Sequence, residues 1–373
     1  MAVNAIIWQA HLLRADKVIE MSVEAMNTPI DLRSDTVTRP TDAMRAAMAA
    51  AAVGDDQYGE DPSTNRLQAY MAELLGKEAA LWLPTGTMAN QVALRTLTRP
   101  GDEVVACRES HLAWHEVGGA AANAGVQIHE VGHGGMFSAE DLRAAAKPRN
   151  FAIFPGTTLV AVENTHNRAG GIIVPQAEVL RICAAARELG LATYLDGARL
   201  WNVSAATGTA LQTLAAPFDL VAVSFSKGLG APGGSLLAGP KAVIAAAHRH
   251  RHRMGGAMRQ NGIFSAAALH ALAHHLPRLS EDHANARAFA AALVKSGAPV
   301  QLDLASVHTN IVVFNLPDSV PIDAPTLSAR ARERGVLLNA MGARTVRAVT
   351  HLDVDRPQCE AAARALVELL ATG

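Results

Sequence analysis

A chain of 373 residues, half of them hydrophobic and 18% charged, is long enough for one large domain or two ordinary ones with a substantial core. Its formal charge of −1 gives no general attraction to nucleic acid or to an anionic membrane. Three cysteines, Cys107, Cys183 and Cys359, show no CxxC spacing, which argues against a disulfide framework or a cysteine zinc site and for a reducing, cytoplasmic setting. The cations are lopsided, with 27 arginines against six lysines, so a lysine in an apolar setting is conspicuous.

Taken in chain order, residues 1–29 read as a poorly ordered extension. The Ile6-Ile7-Trp8 patch is broken by Gln9 and His11, no positive region precedes it, and no apolar run in the chain reaches the roughly 18 residues of a membrane span. An N-capped, Ala-rich helix is predicted over 41–53, stopped by Gly54. After a polar loop, Ser63 is expected to cap a helix that runs to Leu75 and ends at Gly76. Short apolar segments then alternate with helical ones. Strands are predicted over 80–83, 103–106, 127–131, 159–163, 192–196 and 220–224, and helices over 88–96, 138–146 and 177–189. Such alternation predicts an α/β fold with a mostly parallel sheet flanked by helices. From about Gly262 the pattern changes to a long Ala/His/Leu helix over 264–296, a strand over 309–316, a helix over 324–334, a strand over 346–350 and a terminal helix. The expected organisation is a large domain over 30–270, with an N-terminal arm, and a smaller α+β domain over 271–373. In open α/β sheets ligands bind beyond the carboxyl ends of the strands, so motifs there carry most weight.

Two such motifs stand out. Tyr194-Leu195-Asp196-Gly197-Ala198-Arg199 puts a carboxylate at the end of a buried strand; alone, Asp196 is as easily a solvated loop residue. The next strand runs into Ser226-Lys227-Gly228, a lysine among small residues that let a ligand approach the backbone. A lysine held there loses its proton more readily and acts as an amine nucleophile. An acid at one strand end and a lysine 31 residues later is the arrangement pyridoxal phosphate requires. The lysine forms the Schiff base, and the carboxylate keeps the pyridine nitrogen protonated so that the ring acts as an electron sink. Thr85-Gly86-Thr87 follows a strand and opens a helix, where hydroxyls and N–H groups cradle a phosphate. By itself that segment is an ordinary helix cap.

The chain resembles the low-specificity L-threonine aldolase family of aspartate-aminotransferase-like, fold type I enzymes. The resemblance runs from about Ile30 to the C-terminus on Asp31-Leu-Arg-Ser34-Asp35-Thr-Val-Thr38, Tyr58-Gly-Glu-Asp61-Pro, Thr85-Gly-Thr-Met-Ala-Asn90, Glu163-Asn-Thr-His166-Asn, Asp196-Gly-Ala-Arg199-Leu, Ser226-Lys227-Gly-Leu-Gly-Ala-Pro, Met258-Arg259-Gln260 and Arg347-Ala-Val-Thr-His351. It implies Lys227 as the Schiff-base lysine, Asp196 at the ring nitrogen, Thr85, Gly86 and Thr87 at the phosphate, and His111 stacked on the ring. It further implies Arg199 and Arg347 with Ser34 at the substrate carboxylate, Arg199 also serving the cofactor. His166 is implied at the substrate hydroxyl as its base, with His115 near the side chain. Arg259 and Tyr58 are implied as contributions from a neighbouring subunit in a homotetramer of catalytic dimers. The family's lysine-containing stretch before Met258 is shorter here and lacks lysine, and Arg253 is the expected substitute.

The histidines allow a rival reading. His129-Glu130-Val131-Gly132-His133 matches the HExxH pattern of zinc hydrolases, which needs a helix. Here it falls on a predicted strand, where residues four apart lie about 13 Å from each other, too far to share one metal. A run from His248 to Arg253 resembles a nucleic-acid patch only in isolation, and a solvated helix end is the simpler reading. The expected activity is retro-aldol cleavage of L-threonine and L-allo-threonine to glycine and acetaldehyde, with no metal. Its alternatives are β-elimination, racemisation or transamination on the same cofactor, a zinc hydrolase through His129 and His133, and a cofactor-free scaffold.

Overall fold

The computed structural model describes residues 29–149 and 151–372; the expectation for residues 1–28 lies outside them. Seven strands build the central sheet: β1 (Ala79–Leu83), β2 (Glu103–Cys107), β3 (Gln127–Val131), β4 (Thr157–Glu163), β5 (Ala192–Gly197), β6 (Leu220–Ser224) and β7 (Ser235–Gly239). Their order is β1-β7-β6-β5-β4-β2-β3, parallel except for β7, which runs against both of its neighbours. β2 and β6 are buried along their whole length, as runs such as Glu103-Val-Val-Ala-Cys107 require when helices cover both faces. Alternate residues divide between two apolar layers. Val105, Val160, Leu195 and Val221 face one side, while Val104, Leu159, Tyr194 and Leu220 face the other.

The six strands expected here are present. β7 was not expected, because Ser235-Leu-Leu-Ala-Gly239 is short and follows Gly233-Gly234, which reads as turn. Gly234 makes that reversal at φ 102°, where a Cβ would come 2.9 Å from the Trp82 indole nitrogen. The helix expected to start from Ser63 is instead capped by Asp61, whose carboxylate accepts from Thr64 N–H, with Pro62 in the first turn. The helix predicted over 41–53 stops at Ala49. The long helix over 264–296 is two helices, Gly262–His274 and Leu279–Lys295, parted by a 3-10 turn at Leu276–Arg278. Pro277 cannot donate into a continuous helix, so the chain breaks there.

A second core gathers Phe289, Phe314, Leu327, Leu338 and Leu366 beneath the antiparallel strands β8 (Ile311–Asn315), β9 (Asn339–Ala340) and β10 (Thr345–Val349), ordered β9-β10-β8. The arm joins this core rather than the first one. Leu32 is buried in it, and Ile30–Asp31 pairs in parallel with Val336–Leu337. Residues 31–38 thereby run from the second core to the carboxyl ends of the central strands, where Thr38 donates to the Lys227 carbonyl.

Candidate active site

A cavity opens beyond the carboxyl ends of β4, β5 and β6, against the N-terminus of the Gly86–Leu97 helix, and is lined by Gly86, Thr87, Asn90, His111, Glu163, Thr165, Asn167, Asp196, Arg199, Ser224, Ser226, Lys227 and Ser235. Local geometry explains the supply of each part. β5 delivers Asp196 and then Gly197, where a Cβ would stand 2.6 Å from the Ala222 carbonyl, so the strand end lies tight against β6. β6 ends at Ser224 and turns into Lys227, which stays partly accessible. Burial among protein atoms lowers the lysine's pKa, and the Arg199 guanidinium adds to the effect against Asp196, Asp35 and Glu163.

The Gly86–Leu97 helix begins with Thr85, whose hydroxyl accepts from Met88 N–H at 3.1 Å. That hydroxyl is spent on the cap and does not line the cavity; Gly86 and Thr87 do. A Cβ on Gly86 would meet nothing within 4 Å, so the space over this helix start is open to an anion. An amine of lowered pKa, a carboxylate across from it and an open helix N-terminus form a donor set that fits an aldehyde cofactor with a basic ring nitrogen and a phosphate.

The two arginines expected at a substrate carboxylate differ sharply. Arg199 grips Asp35 with two hydrogen bonds of 2.7 and 2.8 Å, and Asn310 donates to the same acid at 3.2 Å. Burial would raise the Asp35 carboxyl, yet the arginine and Asn310 hold it down at about 2. Arg199 is thus committed to Asp35 although it lines the cavity itself, and it also donates to Asn167 Oδ1 at 3.3 Å. Arg347 does not itself line the cavity, and it has no such acid. It donates to Asn167 Oδ1 at 3.0 Å and to the Arg33 carbonyl at 3.3 Å, and its Nε is buried without a partner. Burial, with Arg199 and Arg168 nearby, pushes its pKa down to about 10 against the pull of Asp35. Arg347 therefore wants an anion, and a substrate carboxylate would supply one.

His166 is not where a hydroxyl-contacting base should be. It is 1% exposed and absent from the cavity wall, which is lined instead by its neighbours Thr165 and Asn167. Ala169 N–H donates to its Nδ1 at 3.3 Å, so the proton of the neutral ring sits on Nε2 and that atom is a donor. His111 does line the cavity, and its Nδ1 bonds Glu116 at 2.8 Å. Burial lowers its pKa, but the Glu116 bond and the nearby Asp196 outweigh that and raise it. His115 lies off the cavity wall with its ring centroid 5.4 Å from that of His111, and burial beside His111, Arg168 and Arg347 takes its pKa to about 4.

Ser34 caps the short turn that follows it and does not line the cavity. Tyr58, 72% exposed, and Arg259, ion-paired with Asp55 at 3.1 Å, also lie outside it within this chain. Arg253 is exposed. The arginine that turns inward from that helix is Arg251, which bonds Asp56 at 2.7 Å and the Trp82 carbonyl at 3.0 Å. Sequence reasoning assigned no role to Glu163, whose two oxygens accept from His111 N–H at 2.6 Å and Asn167 N–H at 2.8 Å. It also passed over Asn90 and Glu116; the signal for Glu116 was an acid amid small and apolar residues just before Gly118-Gly119. The HExxH segment is strand β3 rather than a helix, and His129 lies 3.5 Å from Glu103.

The family model for beta-eliminating lyases matches residues 31–317. A low-specificity L-threonine aldolase of Escherichia coli K12 is 42% identical over 331 residues, which are 88% of this chain and 96% of that protein. The chain belongs to the low-specificity L-threonine aldolase family. A second relative, low-specificity L-threonine aldolase 1 of Arabidopsis thaliana, is 38% identical over 86% of this chain and 91% of its own length. Among solved structures, the threonine aldolase of Leishmania major superposes with a TM-score of 0.78 at 19% identity, covering 92% of this chain and all of that one (100%). A structure titled as SPT with its PLP internal aldimine superposes at 0.70 with 18% identity, covering 92% of this chain and 89% of that one. These likenesses establish the fold type I architecture. Among the described residues, no helix is long and apolar enough to cross a membrane.

Proposed function

We propose that this chain is a pyridoxal-phosphate-dependent aldehyde-lyase that cleaves L-threonine, L-allo-threonine and related β-hydroxy-α-amino acids to glycine and an aldehyde. The observation that carries the reading is the single cavity holding Asp196, Lys227 and the open N-terminus at Gly86 and Thr87, in a chain of this family. Bound pyridoxal phosphate supplies an aldehyde that condenses with an amine and a ring that takes up the electron pair of a broken bond.

The chain's residues do the rest. Lys227, its pKa lowered, offers an unprotonated amine more readily than a surface lysine and yields its place to the substrate amine. Asp196 would hold a proton at the ring nitrogen, and Gly86 and Thr87 would hold the phosphate. Arg347 takes the substrate carboxylate and, with Asn167, orients the α-carbon. The β-hydroxyl proton goes to His111 rather than His166. Glu116 accepts the Nδ1 hydrogen of His111, so the neutral ring presents a lone pair at Nε2. As the Cα–Cβ bond breaks, the β-carbon leaves as the aldehyde, and the α-carbon regains a proton and departs as glycine.

In this reading the cofactor domain is built on the first core, which extends to Leu279, and the second core, which the arm joins through Leu32, brings Arg347 against Asn167. Tyr58 and Arg259 serve the cavity of a neighbouring subunit in a catalytic dimer, and the three free, buried cysteines fit a cytoplasmic setting. The visible Schiff-base absorbance of the purified protein is the direct test, with products measured from L-threonine. Lys227→Ala should lose the band and all but a trace of glycine and acetaldehyde formation, on the order of 10³-fold or more. Keto acid with ammonia would identify elimination, D-amino acid racemisation, and full turnover by the Lys227 variant would refute the assignment.

A further inference from the structure

The buried Glu116 that orients His111 also reaches a second cavity group, through Asn90. Glu116 follows the short His111–Trp114 helix, its side chain is fully enclosed, and it does not itself line the cavity. Its Oε1 accepts from His111 Nδ1 at 2.8 Å and from Asn90 Nδ2 at 2.6 Å, and its Oε2 accepts from the Gln91 amide. The second hydrogen of Asn90 Nδ2 goes to Asp196 Oδ2 at 2.8 Å, and Asn90 Oδ1 accepts from the Tyr194 hydroxyl at 2.5 Å. The other oxygen of Asp196 accepts from Ala198 N–H at 3.2 Å.

The direction of every bond in this chain is forced. A carboxylate only accepts, so His111 donates from Nδ1, and Asn90 spends both amide hydrogens on two acids. Asn90 cannot rotate by half a turn without setting its carbonyl against two carboxylates, and Tyr194 holds that carbonyl in place. Burying Glu116 this way costs desolvation that ordinary folding would avoid with an apolar residue. What the buried acid provides is a fixed orientation for two cavity groups supplied by separate strands, His111 after β2 and Asp196 at the end of β5.

We infer that Glu116 is a positioning residue, which through His111 Nδ1 and through Asn90 to Asp196 holds both ring-contacting groups in register for the cofactor. The inference rests on the reading of His111 and Asp196 as cofactor contacts. Asn90 is the second positioning residue, and Gln91 braces the acid from its far side, with Asn123 donating to Gln91 Oε1 at 3.1 Å.

Glu116→Gln tests this with little change of volume. Its amide nitrogen must face one of three donors, so the chain of bonds cannot close as before. Titration of the apo protein with pyridoxal phosphate should show the dissociation constant rising about tenfold, with kcat falling while KM for threonine stays within about twofold, as expected of lost orientation rather than lost substrate contact. The acid limb of kcat/KM should also move to lower pH, because the bond that raises His111 is weakened. In a His111→Phe background the same substitution should retain only the part of its effect carried by Asn90. A purely structural Glu116 would lower the melting temperature and leave cofactor affinity and the pH profile unmoved. Wild-type cofactor affinity in the variant would overturn the inference; failure of the wild-type protein to bind pyridoxal phosphate would instead overturn the functional reading beneath it. If the variant does not fold, NMR of His111 in the wild-type apo protein decides: titration above the ordinary histidine range supports the contact, and an ordinary titration refutes it.

Discussion

The central sheet buries a glutamate near each end, and the two are treated differently. At the amino end, Glu103 opens β2 and is wholly enclosed; Lys147 and the Thr157 hydroxyl donate to it, the latter at 2.9 Å, and His129 stands 3.5 Å away. Both Glu103 oxygens are thus engaged, although His129 Nδ1 itself makes no hydrogen bond. Beyond the carboxyl ends, Glu116 passes its bonds through His111 and Asn90 to groups that face a cavity. Nearby lie a lysine of lowered pKa and an arginine with a buried, unpartnered Nε. Buried charge with its partners complete is architecture. Buried charge beside incomplete partners is prepared for a ligand.

Substitutions at the two ends should separate along that line. Short of losing Lys227 itself, the largest effect is expected from Arg347→Ala, which removes the unsatisfied donor. We expect kcat/KM for L-threonine to fall about 10²–10³-fold, roughly 3–4 kcal/mol of lost transition-state binding, with folding stability little changed because Arg347 pairs with no acid. Steady-state kinetics alongside a melting curve checks both halves. A large stability loss with kinetics intact would place Arg347 with the architecture.

Glu103→Gln should do the reverse. It leaves Lys147 without its counter-charge and should cost about 2–3 kcal/mol in urea unfolding while kcat stays within about twofold. A kinetic defect as large as that of Arg347→Ala would erase the distinction between the two ends.

Smaller and pH-dependent is the contribution of Asp35. Its carboxyl sits at about 2 in the folded protein, below the ordinary carboxylate range, because Arg199 more than offsets the cost of burial. A depressed acid stabilises the fold fully above its unfolded pKa, and the benefit fades as pH falls from about 4 through about 2. Stability of wild type and Asp35→Asn measured across that window should converge at the acid end; parallel curves would show that the Arg199 pair contributes nothing of this kind.

Much of this was legible in the chain, for local reasons. Asp196 and Lys227 were found because each ends an apolar strand and meets glycine or serine, a pattern set within a few residues. The helix start that lines the cavity at Gly86 and Thr87 followed from a strand running into threonine and glycine. The misses share a different cause. β7 was passed over because its five residues follow two glycines and gain their identity only from pairing with β1 and β6. His166 was expected at the substrate hydroxyl from the family resemblance alone. Whether its ring faces the cavity depended on the Ala169 N–H and on the fold of the following loop.

By itself, then, the sequence determined the class of fold, the two strand ends that matter and the residue types able to do amine and anion chemistry there, since backbone direction and local caps depend on near neighbours. Only the tertiary structure decided which charges are spoken for. Arg199 and Arg347 look equivalent in the sequence, yet one meets Asp35 from 164 positions away and the other meets no acid. Burial makes such long-range pairings decisive: in a low-dielectric interior a partnered arginine is held fast, and one left partly unpaired still has a hydrogen to donate.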